Sequence, residues 1–239
     1  MKNRSDQLVE ELGRKIITGE YANGKILPKV EELSEHYEVS RTVVREALKG
    51  LSTMGLVRSN QRAGTTVLPR SNWQWWNLDV LTWVLEDEDN RDFLLHLTEV
   101  RMGLEPMAAE LAAKRATEED LIKIKDAFYR LQQSIDDEKA WAIADYDFHE
   151  AILNASQNDL MINTIKTLRK ALVISREITF SAAKNSGPES SYESSTIEAL
   201  ERHRLIYEAI ITRDENLAGI KMRELIQRIR RILEKIYDN

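Results

Sequence analysis

The chain has 239 residues, no cysteine and a formal net charge of −6 at pH 7. Without cysteine it has neither a disulfide framework nor a thiolate metal site. Its length suits one large domain or two ordinary ones, and its hydrophobic fraction of 42% is enough to fill a core. No apolar run approaches the ~18 residues that a membrane span needs, and the polar, helical start is unlike a signal peptide. We therefore expect a cytoplasmic protein with no membrane partner.

Charge is distributed unevenly along the chain. Residues 1–70 hold 12 basic and 9 acidic side chains, a net charge of +3, so the remainder carries −9. A mildly basic head on an acidic body fits a DNA-binding module carried by another domain. Between them, residues 71–85 hold four of the five tryptophans, which favours packing between domains over a flexible tether. The predicted division is a head over 1–70, a tryptophan-rich joint helix over 71–90 and a body over 91–239.

The head is predicted to contain three helices followed by a two-stranded wing. Apolar residues at helical spacing place the first helix over 5–18. Pro28 opens the second helix, Ser40 caps the start of the third, and Gly55 ends it. Residues 56–69 then form two short strands around a Gln-Arg-Ala-Gly turn. This order is that of a winged helix-turn-helix, so double-stranded DNA is the first partner to expect.

The third predicted helix carries side chains suited to reading DNA. Arg41, Thr42 and Arg45 occupy its first turns, and the two arginines lie four residues apart on one face. Guanidinium groups so placed can bind guanine edges or phosphates in bidentate fashion. Gly64 lies at the wing tip, where the lack of a side chain allows a close backbone approach to DNA. The alternative is that both arginines are ordinary solvated helix residues.

From about residue 92 onward the pattern is helical, and Gly and Pro are nearly absent. The exception is 181–195, which is predicted to be a mobile loop, and the final helix is predicted over roughly 215–237. The expected fold class is therefore mainly α. It combines an N-terminal winged helix-turn-helix domain with a C-terminal antiparallel all-α bundle of helices.

Three residues of the body suit a metal site. Asp145 and His149 lie four residues apart, which places a carboxylate and an imidazole on one helical face, and His203 starts a later helix. One oxygen and two nitrogen ligands suit Zn²⁺, Mn²⁺ or Ni²⁺. A surface ion pair, or a core histidine bonded within its own helix, is the alternative. The same cluster could also serve a metal-dependent hydrolase, although no nucleophile motif or phosphate loop accompanies it.

Within residues 8–67 the chain contains LP-x-x-E-x-L, V-S-R-T-x-V-R-E-A-L, G-L-V and A-G-T-x-V. These motifs resemble the DNA-binding domain of the GntR family of bacterial transcription regulators. The resemblance implies that Arg41, Thr42, Arg45 and Gly64 contact operator DNA. Glu31 departs from the pattern, because the family often has Arg there, so the operator preference does not carry over.

The body contains R-M-G-L-E-P from residue 101, D-x-x-F-H-E-A-I-L from residue 145 and E-x-H-x-x-I-x-x-A-I from residue 201. These motifs resemble the all-helical ligand-sensing FCD domain of the FadR subfamily. In many members the residues that match Asp145, His149 and His203 are metal ligands. A further histidine on the last helix commonly completes that site. The corresponding residue here is Leu225, so the set lacks one ligand.

The resemblance also predicts where an effector binds. It implies that Arg101 faces the pocket, where it can clamp a carboxylate, and an inward arginine is costly unless it meets an anion. Phe180 and Arg228 are further candidates, with a core aromatic and a surface charge as their respective alternatives. The pattern N-W-x-x-x-N-x-D-V-L-x-W-V-L-E over 72–86 resembles the galactonate-responsive repressors of this subfamily, which respond to sugar acids. A sugar acid offers a carboxylate for Arg101 and hydroxyls that can complete a metal's coordination.

Together these features predict a homodimeric, effector-responsive transcription regulator rather than an enzyme. We expect a repressor of sugar-acid catabolism genes, whose two heads read the half-sites of a short palindrome. A small carboxylate that binds the body would favour one arrangement of the heads over another. A structural DNA-binding protein without an effector is a third possibility, and the candidate pocket residues argue against it.

Overall fold

The structure is a computed structural model that describes residues 3–60, 62–87, 91–185 and 196–238. It divides into two compact units, Met1–Asn90 and Arg91–Asn239. The prediction of a mainly helical chain, with a winged helix-turn-helix before a helical domain, is confirmed. Among the described residues, no helix is long and apolar enough to cross a membrane.

Three helices form the core of the first unit: α1 (Arg4–Ile17), α2 (Val30–His36) and α3 (Arg41–Thr53). The cap of α3 is as predicted, because the Ser40 hydroxyl accepts a hydrogen bond from the Val43 N–H. The second helix begins later than predicted. Lys29 has an extended backbone and forms its N-cap, so Pro28 lies outside the helix. The apolar faces of the three helices meet in a core of Leu8, Leu12, Ile16, Leu33, Val44, Leu48 and Leu51.

The predicted wing is present as β1 (Val57–Asn60) and β2 (Gly64–Val67). The two strands are antiparallel, with Val57 opposite Val67 at the base, where both side chains are buried. At the tip, the Asn60 side-chain oxygen accepts hydrogen bonds from the Arg62 and Ala63 N–H groups at 2.9 and 3.2 Å. This local bonding helps to hold the described part of the turn in shape.

The tryptophan-rich segment packs within the first unit, where it forms a 3-10 turn (Arg70–Asn72) and α4 (Leu78–Glu86). Trp83 lies so close to α1 that a Cβ atom on Gly13 would be 2.2 Å from its ring. Gly55 has φ +72°, and a Cβ there would lie 2.1 Å from the Asn72 carbonyl oxygen. Two glycines thus allow this segment to lie against the head. Its predicted role as a joint between domains stays a prediction.

Seven helices form the described part of the second unit: α5 (Arg91–Arg115), α6 (Glu118–Gln133), α7 (Glu138–Ala155), α8 (Asp159–Thr167), α9 (Arg169–Asn185), α10 (Thr196–Ile211) and α11 (Glu215–Asp238). The mobile loop predicted over 181–195 is wrong for 181–185, which continue α9. Alanine and lysine there are good helix formers, so the helix continues to Asn185. The rest of that predicted loop, 186–195, lies outside the described residues.

The main apolar core of the second unit lies between α5, α6, α7, α10 and α11. Helices α5 and α11 approach closely, since a Cβ on Gly219 would lie only 2.2 Å from the Glu110 carboxylate. A smaller apolar cluster is formed by Leu131, Trp141, Ala144, Phe180 and Ala199. Polar side chains of α5, α7, α9, α10 and α11 meet beside these clusters, so the packing of the helices holds them in place.

Candidate functional sites

Helix α3 and the wing give the first unit an exposed basic surface. Arg41, Thr42 and Arg45 are all exposed, while Val44, Ala47, Leu48 and Leu51 of the same helix are buried. Gly64 begins β2 with φ +85°, a conformation that favours glycine, and is also exposed. The four residues predicted to contact DNA therefore lie where a duplex can reach them.

A groove runs between α3 and the wing, with a basic lining that the sequence analysis only partly identified. Its basic residues are Lys29, Arg45, Lys49, Arg58 and Arg62. Lys49 follows Arg45 by four residues on one helical face, a spacing that could have been noticed in the sequence. Positive charge along a concave surface suits the phosphate backbone of DNA.

Glu31, which departs from the family pattern, contacts a predicted DNA-reading residue. Its carboxylate oxygen lies 3.5 Å from a terminal nitrogen of Arg41, and both side chains are exposed. Because exposed ion pairs contribute little free energy, Arg41 can exchange this partner for a phosphate or a base. The contact nevertheless places a negative charge at the edge of the basic surface.

In the second unit, the residues assigned to metal and effector binding converge on one cavity. Helices α5, α7, α9, α10 and α11 all contribute to its lining. The assigned residues found there are Arg101, Asp145, His149, Phe180, His203, Leu225 and Arg228. Residues separated by more than a hundred positions in sequence thus share one site.

Asp145, His149 and His203 bring their ligand atoms within 4.8 Å of one another. Nε2 of His203 lies 2.9 Å from Oδ1 of Asp145, and Nε2 of His149 lies 3.7 Å from Oδ2. All three residues are buried. The alternative of a surface ion pair is therefore wrong, whereas His203 does bond within its own helix, to the Ala199 carbonyl oxygen.

The other ring nitrogen of each imidazole lies close to an oxygen atom. Nδ1 of His203 lies 2.6 Å from the Ala199 carbonyl oxygen, and Nδ1 of His149 lies 2.7 Å from Oε2 of Glu105. A proton on each Nδ1 leaves the Nε2 lone pair available to a metal. Within the described chain, both Nε2 atoms are buried without a hydrogen-bond partner of good geometry, and so is Nδ1 of His149, whose approach to Glu105 is a close ionic contact. Burial lowers the pKa of His149, although the charges of Glu105 and Asp145 act in the opposite direction. The lowered pKa favours the neutral imidazole that metal binding requires.

This donor set fits a divalent cation. Asp145, His149 and His203 supply one oxygen and two nitrogens, a combination suited to Zn²⁺, Mn²⁺ or Ni²⁺. Leu225 lines the same cavity and is buried, so α11 offers an apolar side chain where a fourth ligand is expected. Three protein ligands leave coordination positions for water or for oxygen atoms of an effector.

Two buried charges missed in the sequence analysis complete the cluster. Glu105 accepts hydrogen bonds from Nε and a terminal nitrogen of Arg101 at 2.7 and 3.3 Å, and Arg176 pairs with Oδ2 of Asp145. Burial alone would raise the pKa of each carboxyl, but the neighbouring guanidinium holds the pKa of both well below its ordinary value. Glu105 follows Arg101 by four residues, a spacing at which an ion pair on one helix can be predicted from the sequence. Arg176 lies 31 residues from Asp145 and has no comparable sequence signal.

The remaining two effector candidates also line the cavity. Arg228 is buried, so the alternative of a surface charge is wrong. Phe180 belongs to the small apolar cluster and packs beside Trp141, with ring centroids 5.9 Å apart. It is therefore a core aromatic and a wall of the cavity at the same time.

Comparisons with known proteins agree with this architecture. Residues 4–67 match the family model of bacterial regulatory proteins of the gntR family, and residues 96–228 match the FCD domain. The chain is 31% identical over 219 residues to the Galactonate operon transcriptional repressor of Escherichia coli (strain K12), covering 90% of each chain. It is 35% identical over 227 residues to an uncharacterized HTH-type transcriptional regulator of the same organism, YieP, covering 91% of this chain and 90% of the relative.

A solved structure shows the same fold. Lar, which controls the expression of the Listeria monocytogenes agr system, superposes with a TM-score of 0.61 over 99% of both chains at 17% identity. The matched families and relatives are transcription regulators and not enzymes, which excludes the metal-dependent hydrolase. With its winged helix-turn-helix followed by an FCD domain, the chain belongs to the gntR family of bacterial regulatory proteins, as a FadR-type transcription regulator.

Proposed function

We propose that the chain represses genes of sugar-acid catabolism and releases its operator when a sugar acid binds the cavity of the second unit. The observation that carries this proposal is the cavity itself, where Arg101, Arg176 and Arg228 are all buried beside the candidate metal ligands. Arg101 and Arg176 already pair with Glu105 and Asp145, but Nη2 of Arg176 is buried without a hydrogen-bond partner among the described residues. The planar donors of a guanidinium group match a carboxylate in geometry. A small carboxylate is therefore the ligand class that the site favours.

Other lining residues suit the rest of a sugar acid. Ser175 and Thr179 place hydroxyl oxygens at the cavity, where they can accept hydrogen bonds from sugar hydroxyls. Trp141 and Phe180 add apolar walls for the C–H faces of a carbon chain. A divalent cation on Asp145 and its histidine partners would bind a carboxylate and a neighbouring hydroxyl together. The name of the 31% identical Escherichia coli repressor, which refers to a galactonate operon, supports the same class.

On the DNA side, we propose that Arg41, Thr42, Arg45 and Gly64 contact the operator. Their exposure and the basic groove beside them support this assignment. Two copies of the chain would read the half-sites of a short palindrome, since a protein two-fold axis matches that of the DNA. The effector acts by binding one arrangement of the dimer more tightly than the other, and the difference in affinity sets the response.

The test begins with operator fragments selected by the purified chain from the DNA that flanks its own gene. Their affinity is then measured by fluorescence anisotropy, at fixed salt, with galactonate and with galactose. The two compounds form a matched pair, because galactose has the same carbon skeleton without the carboxylate. We expect galactonate, or another sugar acid of a broad panel, to weaken DNA binding and raise the melting temperature. A panel in which no sugar acid does either would contradict the proposal.

The metal ligands are tested separately, by elemental analysis of protein purified without chelator. We expect bound divalent metal in the wild type and much less in His149→Ala. His96→Ala is the matched control, because His96 is an exposed histidine of the same unit and should leave the metal content unchanged. Equal metal in the wild type and His149→Ala would remove His149 as a ligand.

A further inference from the structure

Arg176 shares a carboxylate with the candidate metal site. It is 4% exposed, and its Nε pairs with Oδ2 of Asp145, while Oδ1 of the same carboxylate lies 2.9 Å from Nε2 of His203. One terminal nitrogen donates to the Leu172 carbonyl oxygen at 3.0 Å. The other, Nη2, is buried and has no hydrogen-bond partner among residues that the structure describes. Arg176 also lines the cavity, so Nη2 is a buried donor without a partner on a cavity-lining side chain.

Arg101 and Arg176 each pair with a carboxylate of this cluster, but their partners differ in role. Arg101 pairs with Glu105 on its own helix, and Glu105 is not a member of the donor set. The ion-pair partner of Arg176 is Asp145, the one carboxylate of that set. A cation bound by Asp145 and the histidines would therefore meet a second positive charge on the same carboxylate. In a buried site, repulsion between such charges is only weakly screened.

We propose that Arg176 couples metal binding to anion binding in this cavity. Its guanidinium competes with the divalent cation for the charge of Asp145 and so weakens metal binding. An anion that binds Nη2 neutralises Arg176 and relieves this competition, so each ligand raises the affinity for the other by the same factor. The inference rests on the proposed function in one respect, namely that the cavity takes a divalent cation and a carboxylate.

This coupling would also shape the biological response. A metal alone would be held weakly, and a carboxylate alone would lack the cation that completes its binding. The regulator would then respond to the pair of ligands more strongly than to either one. Arg176 acts here as a positioning residue for Asp145 and as a contact for the anion.

The first test is calorimetric titration of the full chain with Mn²⁺. We expect Arg176→Met to bind Mn²⁺ at least about tenfold more tightly than the wild type, because a buried like charge is removed. Arg176→Lys keeps the charge and should stay near the wild type. Arg169→Met is the matched control, since Arg169 is an exposed arginine at the start of the same helix. Circular dichroism verifies that each variant is folded.

The second test uses sodium acetate as the carboxylate probe, with sodium chloride at equal ionic strength as its control. Acetate should raise the Mn²⁺ affinity of the wild type and leave that of Arg176→Met unchanged. If Arg176→Met does not fold, the wild-type measurement is sufficient by itself. In that case, an Mn²⁺ affinity that acetate fails to raise would overturn the coupling. Unchanged or weaker Mn²⁺ binding by a folded Arg176→Met would overturn it as well.

These outcomes separate the coupling from the proposed function. If Mn²⁺ binds the wild type and Arg176→Met equally, the coupling fails, while release of DNA by a sugar acid can still be observed. If Mn²⁺ binds neither protein, the coupling and the metal part of the proposed function both fail.

Discussion

The DNA-facing surface of the first unit and the cavity of the second unit both depend on arginines, but the two regions hold them differently. Arg41 and Arg45 are exposed, so water solvates their charge and the fold needs no fixed partner for them. Arg101 and Arg176 are buried, and each pairs with a buried carboxylate. A buried charge without a partner is far more costly than an exposed one.

This difference predicts that substitutions can change binding without changing stability in the head, but not in the cavity. Substitution of an exposed DNA-facing side chain should change DNA affinity and leave the free energy of unfolding almost unchanged. Substitution within the buried cluster should change stability and ligand binding together, because each side chain there neutralises another. Four measurements, given from the largest expected effect to the smallest, test this contrast.

The largest effect is expected from Asp145→Ala. The substitution leaves the Arg176 guanidinium buried without its carboxylate, and breaking one side of a buried ion pair costs about 3–5 kcal/mol. Urea unfolding in the presence of a chelator measures the loss without a metal contribution. Asp147→Ala is the matched control. Asp147 lies on the same helix but is only partly buried, and burial raises its pKa, so its loss should cost less than about 1 kcal/mol. Equal stability of the two variants would contradict the buried ion pair between Asp145 and Arg176.

Gly13→Ala should give the next largest loss of stability. It tests the internal packing of the first unit rather than its DNA-facing surface. The new methyl group would lie 2.2 Å from the Trp83 ring, and such overpacking costs about 1–3 kcal/mol. Gly103→Ala is the control, because no atom lies within 4 Å of its Cβ position and alanine should stabilise that helix by about 0.5–1 kcal/mol. Thermal unfolding of both variants measures these two changes in stability. A stabilising Gly13→Ala would mean that Trp83 does not pack on α1.

Much of the fold was predictable because its signals are local. The Ser40 cap, the wing turn before Gly64 and the apolar spacing of the helices each involve residues a few positions apart. Helix ends were less predictable, since they depend on small local energies. Pro28 lies just outside its helix, and α9 extends to Asn185 through residues that were predicted to be a loop.

The cavity was predictable only in part, for the same reason. Asp145 and His149 lie one turn apart on α7, and donor chemistry already grouped His203 with them, while the family resemblance placed Arg101 at the pocket. The sequence correctly indicated that an inward Arg101 needs an anion. It did not show that Glu105, on the same helix, is such an anion in the fold. Arg176 reaches Asp145 only through the packing of α7 and α9, which no periodicity reveals.

On the exposed side of the contrast, Arg45→Ala should weaken operator binding by about 1–3 kcal/mol, roughly 5- to 150-fold. The loss reflects a guanidinium contact to a base or a phosphate. Because Arg45 is exposed, the free energy of unfolding should stay within about 0.5 kcal/mol of the wild type. Glu46→Ala, at the next exposed position of α3, is the control and should not weaken binding. Unchanged affinity of Arg45→Ala at moderate salt would remove α3 as the recognition helix.

The smallest effect is expected from Glu31→Gln, which tests how an exposed pair behaves. Glu31 lies 3.5 Å from Arg41, so its neutralisation should free Arg41 for DNA and raise operator affinity by less than about fivefold. Glu46→Gln changes the net charge equally and controls for general attraction to phosphate. In the Arg41→Ala background the gain from Glu31→Gln should disappear, because a double-mutant cycle isolates the pair. A gain that persists there would show that Glu31 acts on the DNA directly. A loss of stability comparable to that of Asp145→Ala would break the contrast between the two regions.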